Sequence, residues 1–346
     1  MNLLIGREFE DWLRARLPGR DNIRITDVGT PNTGLSSQTL LFTLNYTYPE
    51  EKSERLVLRA GPRGAGLFPS YDMEMQARTI RALKASAIPV PLVRWYEPDT
   101  AVIGTPFFIM EFIEGEVPSD TAPGFHGQGL FFDATESERV AMWRAGIENM
   151  AALHGLDWKN LELPAMPGWA DNAEEAIASQ IQLLENWIRW GKMENIELIQ
   201  RGMLWLKQTP VPSERLSLLW GDARPGNIIY REGMPVALLD WELASVGLPE
   251  FDLFYWWWSS VILAQVNGVE SLKGLPDRAM TIAMYEKATG RCVADVFRYA
   301  ETFAVLRLAI MGVLGVRACV SEVYSNDFLM ANPAMRALEA ALGTKN

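Results

Sequence analysis

Cysteine and histidine are scarce in this chain of 346 residues, with two of each. Two cysteines, Cys292 and Cys319, are too few for a disulfide framework or a thiolate zinc cluster, and their number fits a reducing compartment. His126 and His154 have no second histidine or cysteine close by in the sequence, which argues against imidazole metal binding and for packed or helix-capping roles. Positive charge is in deficit too: 32 Lys plus Arg against 43 Asp plus Glu leave a formal net charge of −11. Such a surface repels phosphate backbones, so nucleic acid is not an expected partner. Long apolar runs are missing as well. The stretch "LFYWWWSSVILAQV" is broken by serines and bordered by Asp252, and it reads as a buried helix, not a membrane crossing. "MNLLIGREFEDWLRARL" turns acidic and amphipathic too early for a signal peptide. A cytoplasmic protein with no membrane partner is therefore expected. The chain shows no internal repeat and no low-complexity tract.

What is present suffices for a large folded body. Hydrophobic residues make up 49% and charged residues 22%, an ordinary globular balance, and the length exceeds that of one compact domain. A two-lobed molecule with a cleft follows as the first expectation. From "NIRITDVGT" through "MEFIEGEV" the residues alternate and are rich in β-branched types, with turn signals between, which predicts a small antiparallel sheet. "SYDMEMQARTIRALKAS" interrupts it with Met73, Ala77, Ile80 and Leu83 at helical spacing, and the prolines of "AIPVP" stop that helix. After a loop dense in Gly, Pro and Thr the pattern changes to long helices, so the lobes are expected to span residues 1–115 and 116–346.

Between those helices lies "LLWGDARPGNIIY", followed by "LLDWELA". Asp222, Asn227 five residues on, and Asp240 thirteen beyond that each stand beside a strand-like apolar run. The runs "NIIY" and "VALLDW" flank "REGMP", a turn with Gly and Pro, so a hairpin is expected to fold Asp240 back toward the loop. Two carboxylates and an amide converging in this way meet the needs of phosphoryl transfer: oxygen ligands for magnesium, and a carboxylate to orient the attacking hydroxyl and accept its proton.

"WGDARPGNIIY" together with "VALLDWELASVGLPEFDL" resembles the aminoglycoside phosphotransferase-type branch of the protein-kinase-like superfamily. Within it the chain is similar to the kinase-like domain fused to some acyl-CoA dehydrogenases, and the likeness runs over almost the whole length. It implies an α+β, two-lobed kinase-like fold, ATP and Mg²⁺ as cofactors, and a small-molecule hydroxyl as acceptor: an aminoglycoside, an amino alcohol or a hydroxyacyl compound. Asp222 would be the catalytic base and Arg224 would stand where protein kinases carry a lysine facing the transferred phosphate. Asn227 and Asp240 would hold magnesium, and Asp252 would accept backbone N–H bonds from the catalytic loop. Glu242, two residues after Asp240, would point the same way on a strand, toward the metal or toward solvent.

The nucleotide would lie under a hairpin containing Gly34, Ser36 and Ser37. Arg59 in "RLVLRA" would take the place of the kinase lysine and clamp phosphates. Glu74 and Gln76 lie about 200° apart on a helix, so only one can face the cleft. Glu74 is the expected partner of Arg59, because an ion pair needs the charge. Glu111 and Ile113 in "FFIMEFIEG" would read the adenine edge through backbone groups. Trp220 stands where the superfamily loop usually has histidine, although the group this chain resembles reads either H-G-D or W-G-D. Indole offers one donor and no acceptor, so packing is its expected role. Of Trp256, Trp257 and Trp258, two are expected in the core and the third is free to stack on a ligand. The Trp220 change and the absent strand lysine also motivate a second reading, a nucleotide-binding regulator without turnover.

Overall fold

The computed structural model describes residues 5–30, 37–48, 50–64, 66–319 and 331–343. Five antiparallel strands open the chain: β1 (Asp21–Gly29), β2 (Gln38–Thr47), β3 (Lys52–Ala60), β4 (Val93–Glu97) and β5 (Phe107–Glu111), in the spatial order β1-β2-β3-β5-β4. Two helices accompany them, α1 (Arg7–Ala15) before β1 and α2 (Met73–Lys84) between β3 and β4. Alternation along each strand sorts the side chains into two layers. Leu40, Phe42, Leu56, Leu58, Phe107 and Ile109 form one core with Phe9, Trp12 and Leu13 of α1. Each such large apolar side chain contributes about 1.5–3 kcal/mol by burial. Val57, Phe108 and Met110 point the other way, into a core shared with α2 and with the helical part of the molecule. Arg59 has the parity of Val57, so it projects from the same face, toward the helical part. That face carries the site.

The helical part comprises α3 (Leu130–Asp133), α4 (Glu136–His154), α5 (Ala173–Trp190), α6 (Glu197–Gln208), α7 (Glu250–Val266), α8 (Arg278–Thr289), α9 (Phe297–Cys319) and α10 (Pro333–Gly343). Local sequence starts several of them: Asp72 caps α2, Asn172 caps α5, Asp277 caps α8, and Thr135 with Glu138 forms a capping box on α4. The apolar run in α9 is longer than the sequence reading allows. Phe297–Arg317 meets the length and composition of a membrane span, yet 72% of it is buried inside the molecule, where α9 packs against α6, α7 and α10. A helix surrounded by other helices is apolar on every side for the same reason a bilayer span is.

Two short strand pairs sit between α6 and α7. β6 (Ser217–Leu219) pairs with β9 (Ser245–Gly247), and β7 (Ile228–Arg231) pairs with β8 (Met234–Leu238). The second pair is the expected hairpin. Glu116 bridges to Tyr230, with Glu116 N donating to Tyr230 O and Tyr230 N to Glu116 O, both at 2.8 Å, which ties the segment after β5 to the hairpin.

Candidate active site

The loop from Trp220 to Asn227 leaves β6 and enters β7 through a 3₁₀ turn, Pro225–Asn227. Its first bend depends on Gly221, whose φ is +87° and where a Cβ would stand 2.0 Å from the Leu243 carbonyl oxygen. No other residue fits there. Asp252, in the first turn of α7 and fully buried, receives the Trp220 N–H at 2.7 Å and the Gly221 N–H at 3.0 Å. Its Oδ2 also lies 3.1 Å from His154 Nε2, and His154 Nδ1 lies 2.8 Å from the Tyr285 hydroxyl. The loop's shape thus hangs on a carboxylate satisfied from three sides, which offsets the cost of burying it. His154 is packed, as the sequence implies. His126 is packed too, with Nε2 at 2.9 Å from the Ser260 carbonyl and Nδ1 accepting from Leu272 N at 3.1 Å.

The loop brings Asp222 and Asn227 together. Asn227 Nδ2 donates to the Asp222 carbonyl at 2.9 Å and to Asp222 Oδ2 at 2.7 Å, so its own carbonyl oxygen is the group left to bind a ligand. Arg224 Nε donates to Asp222 Oδ2 at 3.0 Å, and the Tyr255 hydroxyl donates to Oδ1 at 2.6 Å. Burial alone would push the Asp222 carboxyl up; the charge of Arg224 and the hydrogen bonds from Tyr255, Arg224 and Asn227 outweigh it and hold the group below its ordinary range. Burial, and next the Asp222 charge, push the Tyr255 hydroxyl well up. Arg224 is no solvated loop residue. It bridges Asp222 and Asp120, an ion pair on each side.

Asp240 follows β8 with φ +59°, a conformation few non-glycine residues adopt and one that recurs where function holds it in place. Two bonds brace it: Leu239 N donates to the Asn227 carbonyl at 2.8 Å, and Trp220 Nε1 donates to the Leu239 carbonyl at 2.7 Å. The Trp220 indole is therefore a strut between the loop and the Asp240 segment as well as a packed ring beside Trp241. Packing alone, the role expected from the sequence, understates it.

Asp222, Arg224, Asp240 and Glu242 line one cavity of about 550 Å³, walled on its far side by Phe68, Ile262, Leu263, Leu308 and Met311. Glu242 faces this cavity. None of Trp256, Trp257 and Trp258 lines it, so none is placed to stack on a ligand there. Trp256 is fully buried, while Trp257 and Trp258 meet edge to face and Arg278 lies over the Trp257 ring. The α7 residue that reaches the cavity among the aromatics is Tyr255, which the sequence reading passed over. Its signal was present: it lies one helical turn after Asp252, on the face that addresses the loop. Asp120 was missed for another reason, since a lone Asp in "VPSDTAPG" has no spacing that ties it to Arg224.

On the sheet side Arg59 donates to Thr39 Oγ1 at 2.9 Å and pairs with Asp240 at 3.2 Å. The expected partner, Glu74, turns out to be the wrong face of α2: its side chain is 55% exposed and pairs with Arg78. Gln76 is 2% exposed, and with Arg59, Met110 and Asp240 it lines a small cavity of about 10 Å³. Its Nε2 has no hydrogen-bond partner. Packing decided the face, because Met73, Ala77, Ile80 and Leu83 bury the same side of the helix and Gln76 falls among them. Gly34 and Ser36 lie outside the described residues. Ser37, just before β2, has a buried hydroxyl with no hydrogen-bond partner. At the strand end, Glu111 N donates to the Leu92 carbonyl at 3.0 Å and the Glu111 carboxylate accepts from Leu92 N at 2.8 Å, so that amide and side chain are engaged. Ile113 N has no such backbone bond among the described residues.

The donors fit magnesium. Asn227 and Asp240 offer hard oxygens, and among the described residues no group of three or more His, Cys, Asp or Glu side chains forms a cage. Mg²⁺ is ordinarily held by one or two carboxylates together with substrate phosphates, so none is required.

A five-stranded sheet over a helical body, with the loop carboxylate Asp222 and the hairpin carboxylate Asp240 lining one cavity and the Asn227 amide bonded to Asp222, is the arrangement of a kinase-like phosphotransferase. The chain belongs to the phosphotransferase enzyme family, whose model matches residues 32–276. It is similar to human acyl-CoA dehydrogenase family member 11, with 29% identity over 255 residues, covering 70% of this chain and 31% of that protein. Mouse acyl-CoA dehydrogenase family member 10 is 30% identical over 241 residues, covering 68% of this chain and 21% of that protein. The chain spans less than a third of the length of these relatives. Among solved structures, a candidate aminoglycoside phosphotransferase from Ralstonia eutropha superposes with a TM-score of 0.70 at 26% identity, covering 98% of both chains. A thermostable mutant of aminoglycoside phosphotransferase APH(4)-Ia, bound to AMP-PNP and hygromycin B, shares the fold with a TM-score of 0.60 at 16% identity, over 97% of this chain and 99% of that one.

Proposed function

We propose that this chain transfers the γ-phosphoryl group of ATP to a hydroxyl of a small molecule, with magnesium bound between Asn227 and Asp240. The observation that carries the reading is that Asp222 and Asp240 line one cavity while Asn227 is bonded directly to Asp222. Bound magnesium would neutralise charge on the phosphates. Asp222 accepts a hydrogen bond from the acceptor hydroxyl; the acceptor oxygen bonds to the γ-phosphorus, the bond to the β-phosphate breaks with its electrons leaving on ADP, and the acceptor proton passes to Asp222. A carboxylate held at low basicity suffices, because bond breaking to the leaving group runs ahead of bond making in such transfers and little proton abstraction is needed early. Arg59 and Gln76 line a small space beside Asp240, from which they would meet the phosphates, and the AMP-PNP complex of a fold relative supports ATP as donor.

The acceptor wall is largely apolar, and Arg224 is tied to Asp120 and Asp222. The same cavity also carries the carboxylates of Asp120, Asp222, Asp240 and Glu242, which would attract a cationic group on the acceptor. An acceptor with a hydroxyl near Asp222 and an acyl-like apolar segment against Ile262, Leu263 and Leu308 fits the apolar side, and the likeness to acyl-CoA dehydrogenase family members agrees with it. The test is ADP release with Mg·ATP across a panel of hydroxylated compounds. Asp222→Asn is expected to lower turnover about 10²-fold or more while ADP affinity, measured by calorimetry, is kept. Equal turnover in Asp222→Asn would end this reading.

A further inference from the structure

The Asp222 carboxylate has about four lone-pair positions on its two oxygens. Oδ2 takes two donors, Arg224 Nε at 3.0 Å and Asn227 Nδ2 at 2.7 Å. Oδ1 takes one, the Tyr255 hydroxyl at 2.6 Å. One position therefore stays open, on Oδ1, in a residue that lines the acceptor cavity. Tyr255 holds its own place firmly. It lies on α7 one turn after Asp252, which anchors Trp220 and Gly221, so the same helix face fixes both the backbone of the loop and the side chain of its carboxylate. The Arg307 guanidinium lies 5.2 Å from the Tyr255 ring centroid, and the ring is 3% exposed.

We infer that Tyr255 is a positioning residue of the phosphoryl transfer: its hydroxyl fills one lone pair of Asp222 Oδ1 and so leaves a single site, facing the cavity, for the acceptor hydroxyl. Asn227 and Arg224 cannot do this, because both address Oδ2. Without the Tyr255 hydroxyl, Oδ1 offers two positions, and an acceptor or a water can bind at the one out of line with the phosphorus. Misplacement of that kind lowers the rate of the chemical step and leaves nucleotide binding alone. The inference rests on the phosphotransferase reading above.

Tyr255→Phe tests it, since phenylalanine keeps the ring, its packing and its contact with Arg307. The readout is ADP release from Mg·ATP with water as acceptor, together with ADP affinity and thermal stability. Expected is a kcat lower by about tenfold or more, with KM for ATP and the ADP Kd within about twofold of the parent chain. A kcat within about twofold of the parent overturns the inference. So does a loss of kcat matched by an equal weakening of ADP binding, which is what a merely structural role predicts. A parent chain that releases no ADP with water or with any of the hydroxylated compounds above sinks the phosphotransferase reading and this inference with it; an active parent beside an equally active Tyr255→Phe sinks the inference alone.

Discussion

Trp220 donates its indole N–H to the Leu239 carbonyl at 2.7 Å, joining the residue two before the loop carboxylate to the residue one before the hairpin carboxylate. The bond means that Asp222 and Asp240 share one rigid support. Trp220→Phe removes the donor and shrinks a fully buried ring, and it is expected to cost about 2–4 kcal/mol in chemical denaturation. Trp220→His restores a ring N–H. It should keep more Mg·ATP turnover than Trp220→Phe, and equal turnover in the two would show that the strut is dispensable.

Asp252 takes two backbone N–H groups and lies against His154 in a place without solvent. Asp252→Asn leaves one carboxylate oxygen's donors facing an amide N–H. A loss of about 3–5 kcal/mol is expected from the urea midpoint, since a buried charged group's partners are left unpaired. A change below about 1 kcal/mol would mean the loop carries itself.

Glu74 and Gln76 make a paired prediction. Glu74→Gln alters an exposed side chain whose partner is Arg78, so stability should move by less than about 0.5 kcal/mol and ADP affinity should not change. Gln76→Leu alters a buried amide beside Arg59 and should weaken ADP binding measurably by calorimetry. The reverse pattern would restore Glu74 as the partner of Arg59. The 10 Å³ space beside Gln76 is about the volume needed for one water, which a high-resolution crystal structure should show on Nε2.

Glu54 supplies a pH signature away from the site. Burial alone would raise its carboxyl, but hydrogen bonds from Lys52 and Tyr46 and the charge of Arg94 outweigh it and hold the group at about 2. A carboxyl lowered in the folded state stabilises it above the unfolded value and loses that contribution as pH falls through the folded one. The stability gap between the parent chain and Glu54→Gln should be full above pH 4.5 and shrink as pH falls toward about 2. A gap that stays constant over that range would show the pairing contributes nothing.

Much of this molecule follows from spacing along the chain. The five strands and α2 were legible because alternation and helical period are local properties, and the caps at Asp72, Thr135 and Asp277 mark where helices begin. The separation of Asp222, Asn227 and Asp240 could be read because a short hairpin must return the chain to its start. Glu74 was misread because charge was set above burial: the side of α2 that faces inward is chosen by Met73, Ala77, Ile80 and Leu83 together, and Gln76 shares it.

The sequence by itself determined the five strands around α2, the later helices and the hairpin that returns Asp240 toward Asp222, since each depends on residues close enough for one turn or one pleat to relate them, whereas α1 and the pairing of β6 with β9 emerged only in the structure. Only the tertiary structure decided that Tyr255 caps Asp222, that Asp120 holds Arg224, and that Arg59 pairs with Asp240. Those partners are 33, 104 and 181 residues apart. Contacts at such separations exist only after the sheet, the loop and α7 have packed, because it is the packing of whole faces that brings them within hydrogen-bond reach.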